Sequence, residues 1–238
     1  MSDCKAVTYP MDFNLQIDAD SNGELINSTH YKSLVGGLRY LVYTRPDIAY
    51  AVGIVSCYME KPTVMHLNAI KRICRYVKGT LHYGLVYIKG RGNYILSGFS
   101  DSDLAGCVED RKSTSGMAFY LDESLISLVS QKQHCVALSS CEAEFMAATV
   151  TACQGIWSQR VLVQISDIKP GHVVIYIDNR SVIDLAKNPV FHRRSKHIDV
   201  RYHFIRKCVE QGLIVIKHIN TSEQRADILT KALSAAKF

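Results

Sequence analysis

No stretch of this chain approaches the roughly 18 consecutive apolar residues that a membrane-spanning helix needs. Its opening, MSDCKAVTYPMDF, lacks the basic-then-apolar order of a signal peptide. Cysteine is present, but the eight residues are scattered from Cys4 to Cys208 with no C-x-x-C pair. That excludes a disulfide frame and a zinc ribbon, and it reads as reduced thiols. These absences set the expectation of a cytoplasmic or nuclear protein with no membrane partner. There is also no internal repeat and no low-complexity tract, so neither a solenoid nor a disordered tail is expected.

What remains is an ordinary globular composition. The chain has 238 residues, 47% hydrophobic and 21% charged, enough for one large domain or two modest ones. A net charge of +6 leans towards a polyanionic partner, though only weakly.

The first third reads helical. Leu34, Leu38 and Leu41 recur at helical spacing, and Thr44-Arg45-Pro46-Asp47 is a helix-start signal. Ile48, Val52, Val55 and Met59 then form one apolar stripe. Lys61-Pro62-Thr63 breaks it, and Leu67, Ile70, Ile73 and Val77 mark a further amphipathic helix. The opposite face of that helix carries Lys71, Arg72, Arg75 and Lys78, which suits either solvent or a nucleic-acid backbone. From about residue 84 the pattern turns to strands. LVYIKGRGNYILSGFSD reads as two runs around a Gly-rich turn, and SGMAFYLDESLISLVSQKQ as a hairpin. A long helix from Ser139 to Val163 is expected next, then the buried strand VVIYID and a short helix over Val182–Lys187. A basic loop leads to a helix with Ile198, Tyr202, Ile205 and Val209 on one face. LIVIKHI makes a last strand and Glu223–Ala232 a last helix. The order β-β-β-α-β-α-α-β-α implies an α/β fold with a five-stranded mixed sheet, preceded by a small helical segment.

Within that order four acids hold equivalent positions. Asp101 closes the first strand, Glu144 lies in the first turns of the long helix, Asp178 ends the buried strand, and Asp227 lies in the last helix. Functional groups of open sheets gather at strand ends beside the topological switch point. Clustered carboxylates repel one another, and all ionise only when cations sit among them. Each acid alone is more often a solvated carboxylate or a helix cap; the four together read as a divalent-metal site. Asp103 and Glu142 flank the set, and supporting roles are expected for both. His192, His197 and His203 have no coherent ligand spacing. His218 reads as structural or solvent-facing.

A D-E-D-D quartet on this frame resembles the ribonuclease H family. The chain as a whole resembles the C-terminal part of copia-type LTR-retrotransposon Pol polyproteins. The resemblance is carried by YKSLVGGLRYLVYTRPDIAYAV, HLNAIKRICRYVKGT, FSDSDLAGCVEDRKSTSGMAF, VALSSCEAEFMAA, YIDNRSVIDLAKNP, RSKHIDVRYHFIR and QRADILTKAL, in the family's order. It implies a thumb and connection remnant of reverse transcriptase over residues 1–90, a ribonuclease H-like domain over 91–238, and Met1 as an internal methionine of a longer polyprotein. No Tyr-x-Asp-Asp motif, zinc knuckle or integrase is present, and Asp101-Ser102-Asp103 lacks the glycine of an aspartic-protease motif. The resemblance therefore implies a nuclease without polymerase activity, whose partners are an RNA–DNA hybrid and the palm and fingers of the parent polyprotein.

The same resemblance assigns the site. Asp101, Glu144, Asp178 and Asp227 would hold two Mg²⁺ ions, with Mn²⁺ able to substitute, about 4 Å apart. Ser139, Ser140, Asn179 and Arg180 would contact the hybrid, and Arg193, Arg194 and Lys196 would grip its phosphates. The family has Trp where Leu104 and Leu128 stand, a change expected to cost ~1–3 kcal/mol each if a buried ring is lost. It commonly has Gln where Arg180 stands. The alternative to an active nuclease is a catalytically silent remnant that at most binds nucleic acid.

Overall fold

The computed structural model describes residues 4–13, 17–19, 23–89, 94–166, 171–187 and 199–233. The helical part comes first. Helix α1 (Ser28–Leu41) starts where the Asn27 side chain accepts the His30 N–H at 3.0 Å, and it buries Tyr31, Val35 and Leu38. Thr44 does not cap the next helix; its hydroxyl donates back to the Leu41 carbonyl. Instead Pro46–Ile48 forms a 3-10 turn that leads into α2 (Ala49–Ser56). Ile48, Val52 and Val55 are buried as the stripe predicts, and α2 ends before Met59. Helix α3 (Val64–Gly79) begins at a capping box between Thr63 and His66.

Arg45 joins these helices. It is 4% exposed, pairs with Asp47 at 2.6 Å, and donates to the Thr80 carbonyl at 2.9 Å. Tyr76 completes the set by donating to Asp47 at 2.6 Å. The basic face of α3 is only partly solvated. Arg72 pairs with Asp12 at 2.6 Å, while Arg75 and Lys78 donate to the carbonyls of Lys5 and Cys4. Lys71 and Lys78 are exposed, while Arg72 and Arg75 are half-buried.

The sheet follows as a meander of β1 (Leu96–Ser102), β2 (Thr114–Leu121) and β3 (Ser124–Lys132). After α4 (Ser140–Ile165) come β4 (Val173–Ile177), α5 (Arg180–Lys187), α6 (Asp199–Glu210) and β5 (Ile214–His218). The strand order is β3-β2-β1-β4-β5, with β1, β4 and β5 parallel and β2 antiparallel to both of its neighbours. This is the expected five-stranded mixed sheet. The apolar run Leu85–Ile88 is not a strand, and Val86, Tyr87 and Ile88 are exposed. The reason is topological: β1 already has β2 on one side and β4 on the other, so no slot beside it is left.

Alternation along the strands separates two faces. Met117 and Phe119 of β2 join Phe145 of α4, Val182 of α5 and Ile205 of α6 in the main core. On the opposite face Ala118, Leu125 and Leu229 meet Ala49 of α2. Leu128 packs partly buried at that second face, while Leu104 is 50% exposed. At Leu104, therefore, no large buried cavity replaces the family's tryptophan.

The last helix expected over Glu223–Ala232 is absent. The chain makes two 3-10 turns instead, Thr221–Glu223 and Asp227–Leu229. Gln224 breaks the helical path: its buried amide donates to the Ser100 carbonyl at 3.0 Å and accepts the Ala226 N–H at 3.2 Å. The second turn then lies flat against β2 above Gly116. A Cβ at Gly116 would fall 2.6 Å from Thr230 Cγ2 and 2.9 Å from Leu229 Cβ, so only glycine admits this approach. Gly116→Val is expected to destabilise the protein by about 1–3 kcal/mol through overpacking. Chemical denaturation of the two proteins checks this, and unchanged stability would contradict the close packing of the turn.

Candidate functional site

Strands β1 and β4 run parallel and side by side, with Phe99 in register with Tyr176. Two residues further along each strand stand Asp101 and Asp178, so both carboxylates leave the same edge of the sheet at the same level. The ladder between the strands stops at Phe99, and the freed Ser100 carbonyl is taken by Gln224. This parting of two neighbouring strands makes the crevice in which open α/β sheets carry their chemistry.

Helix α4 brings the third acid. Ser139 is its N-cap, accepting the Glu142 N–H at 3.2 Å. Glu142 is itself buried and accepts the Leu138 N–H at 3.0 Å, so its carboxylate is spent on the helix start. Glu144 is left for the site. Its Oε1 accepts the Asn179 amide at 3.0 Å, and its Oε2 is buried with no hydrogen-bond partner. The start of α4 is fixed to the sheet by Gln133, whose amide reaches Ser102, Ser115 and the Ala143 carbonyl at 3.1, 2.9 and 2.9 Å.

The 3-10 turn brings the fourth. Asp227 is 7% exposed and Asp101 4%. Lys231 lies between them, its Nζ 2.9 Å from Asp227 Oδ1 and 3.5 Å from Asp101 Oδ2. The Thr230 hydroxyl donates to Asp101, and the Thr221 hydroxyl donates to Asp178 Oδ2 at 2.9 Å.

Burial raises the cost of ionising Glu144 and Asp227, and the charges of neighbouring acids add to it. Glu144 is pushed up to about 7, first by burial and then by the charges of Asp178 and Asp101, against the Asn179 hydrogen bond. Asp227 is pushed up to about 6 by burial and by Asp101, against Lys231. Asp103 rises to about 6 for the same first reason, although it accepts the Thr114 N–H. Glu144 thus responds to Asp178 and Asp101, and Asp227 to Asp101, so the four acids share one electrostatic neighbourhood. Among the described residues no three His, Cys, Asp or Glu side chains converge tightly enough to hold one ion. The four acids are gathered, but they do not form a closed ligand shell.

The remaining expected contacts divide. Ser139 and Ser140 are exposed at the start of α4, and Arg180 is exposed on α5. Asn179 turns inward to Glu144 and also caps α5, accepting the Ser181 N–H at 2.9 Å. Arg193, Arg194 and Lys196 lie outside the described residues, as do His192 and His197. His218 is exposed at the end of β5. Sequence reasoning missed Thr221, Gln224, Thr230, Lys231 and Gln133. For Lys231 the signal existed, since it stands four residues after Asp227, the spacing of an ion pair on one helical turn.

No protein-family model matches the chain. Over 246 aligned residues it is 41% identical to the retrovirus-related Pol polyprotein from transposon TNT 1-94 of Nicotiana tabacum. Over 238 residues it is 41% identical to the corresponding polyprotein from transposon RE1 of Arabidopsis thaliana. The chain belongs to the copia-type retrovirus-related Pol polyproteins of transposons. Both alignments cover 100% of this Pol chain, which spans only 18% and 16% of the two relatives. Among solved structures it is similar to LC11-RNase H1, isolated from compost, at 15% identity and a TM-score of 0.45, over 58% of this chain and 93% of that one. It is also similar to a foamy viral protease-reverse transcriptase in complex with an RNA/DNA hybrid, at 15% identity and a TM-score of 0.45, over 82% of this chain and 25% of that one.

The raised acids make a pH prediction for the metal-free Pol chain. Glu144 binds its proton more tightly folded than unfolded, so stability falls as pH rises from about 4.5 to about 7 and stays low above that. Glu144→Gln removes this penalty. The variant is expected to melt higher than its parent at pH 8, with the gain vanishing near pH 4. Thermal melts at the two pH values check it; an equal difference at both would show that Glu144 is not the group responsible.

Proposed function

We propose that this Pol chain is a divalent-metal-dependent endonuclease that cuts the RNA strand of RNA–DNA hybrids. The observation that carries the reading is the buried, unpartnered Oε2 of Glu144, a carboxylate on which the charges of Asp178 and Asp101, at the ends of β4 and β1, act together. A hard-oxygen donor set with an unsatisfied buried carboxylate oxygen fits Mg²⁺ or Mn²⁺. Asp101, Glu144, Asp178 and Asp227 would be its ligands. When bound, a pair of such ions supplies the Lewis acidity and the activated water that phosphodiester hydrolysis needs.

The chain's own residues set the geometry. Asn179 fixes the Glu144 carboxylate, Thr221 fixes Asp178 and Thr230 fixes Asp101, so three ligands are oriented by hydrogen bonds to their other oxygens or edges. Ser139 and Ser140, exposed at the start of α4, are suited to the 2′-hydroxyls of an RNA strand in a wide minor groove. Arg180 would contact a backbone phosphate, and Arg193, Arg194 and Lys196 would add salt-dependent affinity. We assign residues 1–90 to a thumb and connection remnant and 91–238 to the nuclease domain. The separate core of α1, α2 and α3 supports this division. With no Tyr-x-Asp-Asp motif, polymerisation would fall to other parts of the parent polyprotein.

Asp101→Asn is expected to abolish Mg²⁺-dependent cleavage of a labelled hybrid's RNA strand while far-UV circular dichroism stays unchanged. Cleavage by the variant at the parent's rate would sink the assignment. If the parent binds the hybrid in a salt-dependent manner but never cuts it, the chain is a silent remnant.

A further inference from the structure

Lys231 carries an inference of its own, which rests on the reading of the four acids as a divalent-metal site. Among the described residues Asp101 and Asp227 are two of the most deeply buried charged groups, and the charge of Asp101 bears on Asp227. Two carboxylates in that position repel unless positive charge lies beside them. Among the described residues Lys231 is the basic side chain that supplies it, touching both acids, and its field also reaches Glu144 and Asp103. The three partners differ in access. The Lys231 side chain is 40% exposed, whereas those of Asp101 and Asp227 are 5% and 10% exposed. The ammonium therefore sits on a partly exposed, flexible stem that can carry it back towards water. Its backbone is tied to the turn that carries Asp227, since the Lys231 N–H donates to the Asp227 carbonyl at 3.3 Å.

We propose that Lys231 is a tethered counter-ion that holds Asp101 and Asp227 together without metal and competes with the divalent cation for their oxygens. It is a positioning residue. A bare carboxylate pair would repel and spread; the ammonium holds the pair in place, and it withdraws when a doubly charged ion enters. The open ligand arrangement around Glu144 agrees with this, since part of the acid set is engaged by the ammonium and not by a shared ion.

The test measures Mn²⁺ affinity calorimetrically, and thermal stability with and without Mn²⁺, on the full chain, Lys231→Met and Lys231→Arg. Methionine keeps much of the stem and removes the charge; arginine keeps the charge. Lys231→Met is expected to melt lower than the parent without metal and to bind Mn²⁺ about tenfold tighter, the effect of deleting one nearby like charge. Lys231→Arg is expected to bind Mn²⁺ within a few-fold of the parent. If the parent binds Mn²⁺ and Lys231→Met binds it equally or more weakly, the counter-ion proposal is overturned and the metal site stands. If neither folded protein binds Mn²⁺, the metal-site reading fails and takes this proposal with it. Should Lys231→Met be unfolded without metal, refolding on Mn²⁺ supports the proposal, and failure to refold at saturating Mn²⁺ overturns it.

Discussion

Two carboxylates held side by side below the surface are the constraint on which the rest of this site depends. Asp101 and Asp227 come from elements far apart in sequence, and two like charges brought together below the surface repel unless positive charge sits beside them. The surrounding structure answers with three devices: a lysine ammonium between them, a threonine hydroxyl on Asp101, and a 3-10 turn pinned to β1 by Gln224. Because the turn must lie flat against β2, Gly116 can carry no side chain. One electrostatic requirement thus fixes a turn type, a glycine and a buried glutamine.

The other two acids follow from sheet geometry. Parallel register carries Asp101 and Asp178 to one edge, and the ladder ends just before them, so the strands part where the charges stand. Glu144 reaches the same place from α4, whose first turn is tied to β1 and β2 through Gln133. Asn179 serves two elements at once, bonding Glu144 and capping α5. Rigid elements with hydrogen-bonded supports are what a site needs when its ligands must not drift.

Much of this was legible in the sequence, for identifiable reasons. The helix expected from Ser139 is α4, with Ser139 as its N-cap, and the central strand β4 could be read because VVIYID has the apolar run of a strand buried on both faces. That the four acids gather was expected from their places at or near strand ends, although Asp227 arrives on a 3-10 turn and not on the expected helix. Two errors share one cause, which is that local pattern does not report tertiary vacancy. Leu85–Ile88 has strand-like composition but finds no slot beside β1, and Glu223–Ala232 has helical composition but is broken by a glutamine that bonds β1. The roles of Thr230 and Lys231 were hidden for the same reason. Their spacing from Asp227 was visible, but the nearness of Asp101 appears only once the turn packs on β2. Likewise, nothing in the basic face of α3 announces that residues 4–12 fold back to occupy it.

The central claim is that these four carboxylates are the ligands of a divalent-metal nuclease centre. Anomalous diffraction from crystals of the full chain grown in saturating Mn²⁺ tests it most directly. The account predicts anomalous density in contact with Asp101 and with further members of the quartet, and Lys231 Nζ withdrawn from both of its present partners. Density elsewhere only, with Lys231 still seated between Asp101 and Asp227, would contradict it.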